Sequence, residues 1–185
     1  MKLTKEDFYS GAFLSFLLNN KIVPALFEDR SDMNRKVYDF TTDKGDFRVY
    51  VKSSEKPSSE NDYNNSSIWN FPFTEGQIDD IKSLQCNTKQ FYFVFVCARP
   101  ELNKSRLAVV PESTVFQCID VNRKDKYKSQ SVKVKLAKGG WNFNLYGTAR
   151  ADKDGAGSDT TLKARVNNIE ELFSKNDLVY EVNAK

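Results

Sequence analysis

The first apolar stretch of the chain repeats with a helical period. Phe8, Ala12, Ser15/Phe16 and Asn19 trace one stripe, and Phe13, Leu14, Leu17 and Leu18 widen it. The pattern predicts a tightly packed helix from about Lys5 to Asn20. Thr4-x-x-Asp7 has the form of a capping box at its start. KIVPALFE then reads as an extended connection or short strand, because Pro24 stops a helix. From Lys36 the apolar period changes to that of a strand. Lys36–Thr42 and Asp46–Ser53 alternate on either side of DKGD, where Lys44-Gly45 makes a two-residue turn with glycine at positive φ. That turn pairs Asp39 with Tyr50 and Val37 with Lys52. One face then carries Tyr38, Phe40, Thr42, Phe47, Val49 and Val51, and the other Asp39, Thr41, Arg48, Tyr50 and Lys52. The hairpin is expected to place its greasy face on the core and leave the other polar.

Ser54–Ser67 has almost nothing to bury and predicts a flexible polar loop at 54–67, inside a single domain spanning 1–185. IWNFPF follows as a short strand. Thr74-x-x-Gln77 then caps a helix whose buried stripe is Ile78, Ile81 and Leu84. Phe91–Ala98 is apolar on both faces, as a central strand covered from both sides should be. RLAVV is another strand, and Pro111-Glu112 opens a short helix through about Asp120. SVKVKLA and WNFNLYG flank Gly139-Gly140 as a second hairpin. Val132, Val134 and Leu136 point inward with Trp141, Phe143 and Leu145, while Lys133 and Lys135 point outward. Leu162, Val166, Ile169 and Leu172/Phe173 predict a last helix after Asp159. The fold class is α+β with an α/β-like core: helix, β-hairpin, helix, central buried strand, then a C-terminal hairpin and helix.

Composition narrows the chemistry. The 185 residues are 39% hydrophobic and 29% charged, the mix of one soluble globular domain. Histidine is absent, which excludes Ser-His-Asp and Cys-His catalysis, a histidine base and histidine-ligated zinc. Cys86, Cys97 and Cys118 form no CxxC pair, so a disulfide framework and a cysteine zinc site are not expected and a reducing, cytoplasmic compartment is. No apolar run approaches a membrane span. Glu6 and Asp7 stand where a secretory signal would carry positive charge. A net charge of +3 is too mild to imply nucleic acid by itself. Its distribution is less even: Arg123, Lys124, Lys126, Lys128, Lys133, Lys135 and Lys138 face only Asp125. That run is either a solvated hairpin surface or a phosphate-binding patch.

Neither a P-loop nor a GxGxxG loop is present. DKDGAGSDTTLK, from Asp152, has Lys163 where a calcium loop needs glutamate, and reads as a turn. The first hairpin carries more. A helix, an aspartate on one strand (Asp39 in VYDF), a lysine on the next (Tyr50-Val51-Lys52), then a helix and a buried strand resemble the PD-(D/E)XK nuclease superfamily, the restriction-endonuclease-like fold. Tyr50 occupies the position of that family's second acid. The resemblance implies a nucleic-acid-binding protein with possible Mg²⁺-dependent phosphodiester hydrolysis, in which Asp39 holds the metal and Lys52 orients water or phosphate. Glu6, Asp7 or Glu28 would complete the metal site. The alternative is an inactive interaction protein, such as an inhibitor of a host defence (restriction or CRISPR) complex. Residue by residue, plainer roles also stand: Asp39 paired with Arg48 or Lys52, Gln77 as a cap, and Trp69 and Trp141 as core rather than base-stacking platforms.

Overall fold

The computed structural model describes residues 3–20, 26–29, 36–61, 65–85, 87–122, 129–150 and 162–172, with the backbone alone at 26–29 and 61. Helix α1 spans Lys5–Asn19. The Thr4 hydroxyl accepts from the Asp7 N–H at 3.1 Å, and the Asp7 carboxylate accepts from the Thr4 N–H at 2.8 Å, so the expected capping box forms. The buried side of α1 is Ser10, Phe13 and Leu17. The stripe through Phe8 and Ala12 faces outward instead, with Phe8 58% and Leu18 63% exposed. The helix is apolar on nearly every side, so periodicity cannot choose which side meets the sheet; packing against Tyr38, Val49 and Val51 does.

β1 (Leu26–Asp29), β2 (Lys36–Thr42) and β3 (Gly45–Ser54) form an antiparallel meander. β6 (Gln90–Cys97) lies parallel to β3, and β7 (Arg106–Pro111) antiparallel to β6, so the first sheet runs β1-β2-β3-β6-β7. β6 is an interior strand beside the hairpin, as its doubly apolar sequence requires. The hairpin register differs from expectation. Thr42 pairs with Gly45, so Asp43-Lys44 makes the turn, and Asp39 faces Arg48 rather than Tyr50. The Thr42 hydroxyl accepts the Lys44 N–H at 3.1 Å, a local bond that fixes the turn one residue early. Gly45, at φ +117°, begins β3. A slip of two leaves every side chain on its expected face and changes every partner.

β4 (Ser59–Asn61), β5 (Ser66–Phe73), β8 (Gln130–Ala137), β9 (Asn142–Gly147) and β10 (Leu162–Arg165) form a second, antiparallel sheet in the order β10-β9-β8-β5-β4. Between Ser54 and Ser67 lie the end of β3, all of β4 and the start of β5; residues 62–64 are outside the described set. The helix expected after Asp159 is replaced by β10, a turn at Asn167 (φ 54°) and a 3-10 turn at Ile169–Glu171. Ala164 is buried while Lys163 and Arg165 are exposed, a period of two that the spacing of Leu162, Val166 and Ile169 concealed.

Helices α2 (Glu75–Leu84) and α3 (Glu112–Cys118) join the larger core between the sheets. That core holds Tyr50, Trp69, Phe71, Phe73, Phe93, Phe95 and Phe143, with Ile78 and Ile81 of α2. Each such side chain contributes about 1.5–3 kcal/mol on full burial. A smaller core of Phe13, Leu17, Tyr38, Phe40, Phe47 and Val49 fills the space under α1. The first sheet is therefore covered on both faces, and the hairpin face expected to be polar and open is buried. Among the described residues the second sheet has a covering layer on one face only. Among the described residues no helix is long and apolar enough to cross a membrane.

Candidate functional site

The residues singled out on the first hairpin do not converge. Asp39 is 2% exposed. Its Oδ1 accepts from Arg48 Nε at 2.8 Å, and its Oδ2 from Arg48 Nη2 at 2.9 Å and Lys89 Nζ at 2.7 Å. Arg48 Nη1 goes on to the Leu84 carbonyl at 2.6 Å. Burial pushes the Asp39 carboxyl upward, but these bonds from Arg48 and Lys89 outweigh it and hold it below the usual carboxylate range. Arg48 on both oxygens and Lys89 on one, all within 3 Å, do not suit a divalent metal at Asp39.

Lys52 lies four residues beyond Arg48 on β3, about 13 Å along the strand. Its Nζ donates to Gln77 Oε1 at 3.2 Å and sits 4.8 Å from the Phe73 ring centroid. Burial lowers its pKa to about 8, against the raising influence of the Glu6 charge. Glu6, on the exposed first turn of α1, is thus felt at Lys52. Gln77 Oε1 also accepts the Thr74 N–H at 3.2 Å, so the expected capping role holds and the lysine contact is added to it. Tyr50 is buried, with ring centroids 5.6 Å from Phe93 and 6.5 Å from Phe73. Asp7 is engaged by Lys36 Nζ at 2.7 Å and by the Thr4 cap, which together hold its carboxyl well below the ordinary range. The backbone of β1 places Glu28 opposite Asp39. Among the described residues no group of three or more Asp, Glu, Cys or His side chains could hold a metal ion.

The open face of the second sheet is different. Strand alternation puts Lys133 and Lys135 of β8, Asn142, Asn144 and Tyr146 of β9, Lys163 and Arg165 of β10, and Asn70 of β5 on it. Lys163, Asn144 and Lys135 lie in one row across three strands, and Tyr146, Lys133 and Asn70 in the next. The lysines are spaced about 7 Å along β8 and about 10 Å across two strands. Within the five strands the one acid is Glu60, on the opposite side of β4 and bonded to Arg99 at 2.7 Å. Nothing on the face itself neutralises its cations through a strand neighbour. Trp141, read from sequence as core, is 76% exposed in the β8–β9 turn. Its carbonyl accepts the Val166 N–H at 2.9 Å, which pins it to the end of β10 beside Arg165.

Lys133 and Lys135 lie on the outer side of the second hairpin, as alternation placed them, and Lys138 is exposed in its turn. Arg123, Lys124, Lys126 and Lys128 lie outside the described residues. Lys163 and Arg165 were missed, and Trp141 was read as core. The Lys-Ala-Arg alternation in β10 was the available signal, masked by a coincident helical spacing. No family model, curated protein or solved structure matches the chain.

Proposed function

We propose that the protein binds nucleic acid, single strands foremost, across the open face of its second sheet. The observation that carries this reading is a strand-paired surface with Lys133, Lys135, Lys163 and Arg165 on it and no acid from the same five strands. Such a face tracks phosphates through charge, and its exposed aromatic groups stack on bases. Trp141, exposed in the β8–β9 turn beside the face, is the stacking platform, with Tyr146 in the row of Lys133. The order helix, hairpin, helix, buried strand also supports an endonuclease-like ancestry for the first sheet. The Asp39–Arg48–Lys89 cluster supports binding without Mg²⁺-dependent hydrolysis.

The test is fluorescence anisotropy with mixed-sequence DNA and RNA oligonucleotides at about 50 mM salt, followed by a salt titration. Binding that falls steeply with salt supports the reading. Absence of binding to every strand at low salt overturns it. The same mixtures with Mg²⁺ or Mn²⁺ should leave the strands intact, and Asp39→Ala serves as control for any cleavage.

A second reading, the protein-interaction module, is favoured by one feature. Leu3, Phe8 and Leu18 of the α1 region and Leu102 stand in solvent. Loss of a protein partner on Phe8→Ser with unchanged nucleic-acid affinity would favour it.

A further inference from the structure

A cavity of about 430 Å³ opens at the rim of the second sheet, where β5 begins and β8 ends. Its walls carry Arg99, Lys104, Arg106 and Lys138, with Ser66 and Ser67 as hydroxyl groups and Glu60 as the one acid. Arg99 is built in rather than draped across. Its Cζ lies 5.3 Å from the centre of the buried Trp69 ring, Nη1 bonds Glu60 Oε1 at 2.7 Å, and Nη2 bonds the Ser67 hydroxyl. The Trp69 indole is itself fixed by donating to the Ala98 carbonyl at 2.8 Å. Arg106 is braced by the carbonyls of Asn103 and Ser105 at 3.1 and 2.8 Å. Lys104 makes only a 3.7 Å contact with Glu101. Four cations against one carboxylate leave the cavity with a net charge of +3.

We propose that this cavity binds a phosphate monoester, and that in the intact system the group is the phosphorylated end of the strand lying on the open sheet face. The inference rests on the nucleic-acid reading for the identity of the carrier, and on the cavity alone for the phosphate. The cavity meets the face at the rim of the sheet, while Glu60 and Ser67 line it from the other side of the strands. Ser66 and Ala137 line the cavity, and each lies one same-face step, about 7 Å, beyond Ile68 and Lys135 of the open face. A strand tracking the β8 lysines therefore reaches the cavity mouth. Internal phosphodiesters carry one charge each and are served by the spaced lysines outside. A terminal monoester carries about −1.5 to −2 at neutral pH and suits a concave site with several convergent donors. The volume falls within the range of about 300–1,000 Å³ typical of small-molecule sites, which admits a terminal nucleotide and not only its phosphate.

The experiment compares one oligonucleotide sequence with a 5′-phosphate, a 3′-phosphate or hydroxyl ends by anisotropy, and 5′-AMP with adenosine by calorimetry. One phosphorylated end is expected to bind about tenfold more tightly than the hydroxyl-ended strand. Lys104→Gln combined with Lys138→Gln, both on exposed side chains, should erase that preference. The hydroxyl-ended affinity should persist in that variant. Lys133→Gln with Lys135→Gln should instead weaken all three strands alike. AMP binding as tight as the phosphorylated strand assigns the site to a free nucleotide and overturns the strand-end assignment. Equal affinity for all three strands, with no heat from AMP, overturns the proposal while the sheet reading stands. Binding of AMP that depends on Lys138, without binding of any strand, supports the phosphate site and overturns the sheet reading.

Discussion

The two sheets carry similar polar side chains in opposite circumstances. On the first, Asp39 and Arg48 sit on a strand face that the larger core and α2 cover, and each finds its partner inside the protein. On the second, Lys133, Lys135, Lys163 and Arg165 sit on a face with no covering layer among the described residues, with no acid beside them in the strands. A buried charge costs several kcal/mol to desolvate and must be satisfied where it lies. An open one is left for a ligand. The comparison teaches that a catalytic-looking acid and lysine on alternating strands do not define a site. The layer that covers the strands decides whether their charges belong to the fold or to function.

The largest expected effect lies in the first sheet. Asp39→Ala leaves Arg48 and Lys89 without their carboxylate and should lower the unfolding free energy by about 3–5 kcal/mol, read by urea titration. The pH dependence has a definite sign. The folded carboxyl titrates below its unfolded value of about 3.9, so its contribution is present above that pH and is lost as pH falls through the folded value. Wild type should show this acid limb and the variant should lack it. A change below about 1 kcal/mol would break the contrast and return Asp39 to candidacy as a free site acid.

The two tryptophans sharpen the contrast within one residue type. Trp69 is fully buried with its indole N–H bonded, and Trp141 is 76% exposed. Trp141→Ala should leave stability within about 0.5 kcal/mol and weaken single-strand binding by about 1–3 kcal/mol. Iodide should quench Trp141 in the free protein and lose access when a strand is bound. Trp69→Ala should do the reverse, costing about 3–5 kcal/mol of stability. Full protection of both indoles in the free protein would remove the stacking platform.

The lysine pair should act more gently. Lys133→Gln with Lys135→Gln should flatten the log–log salt slope of binding by up to about two, one per phosphate contact. The melting temperature should stay unchanged because both side chains leave the sheet on its solvent side. An unaltered slope would mean that the row merely solvates the hairpin.

How far the sequence carried these distinctions depends on what decides each one. Phe91–Ala98 was legible as an interior strand because both of its faces are apolar. Both capping boxes were legible because their partners lie three residues apart. The side-chain faces of the first hairpin were legible, but its register rested on one hydroxyl, Thr42, choosing Asp43-Lys44 as the turn. The partner of Asp39 followed that choice. Leu162–Arg165 was misread because four residues fit both periods, and only pairing with β9 selects the strand. Trp141 was misread because alternation extended one residue past the strand into the turn. Covering layers are long-range facts, and local pattern does not contain them.

The smallest effect concerns the one lysine of the first sheet that resembles a catalytic one. Lys52 is held between Gln77 and the Phe73 ring, and burial lowers its pKa to about 8. Its unfolded value is about 10.4. Between about pH 8 and 10 the unfolded chain therefore binds more protons than the folded one, and stability from this group rises with pH. Burial also raises the pKa of Tyr92, with the Glu171 charge adding to it, so near pH 10 the tyrosine pulls the other way. The clean measurement is thus a difference. Melting temperatures of wild type and Lys52→Met, recorded from pH 7 to 10, should converge as pH rises, with the variant the more stable at pH 7. Parallel profiles would show that Lys52 stays charged and hydrated in the folded protein, which would move it from the covered sheet's account to the open one's.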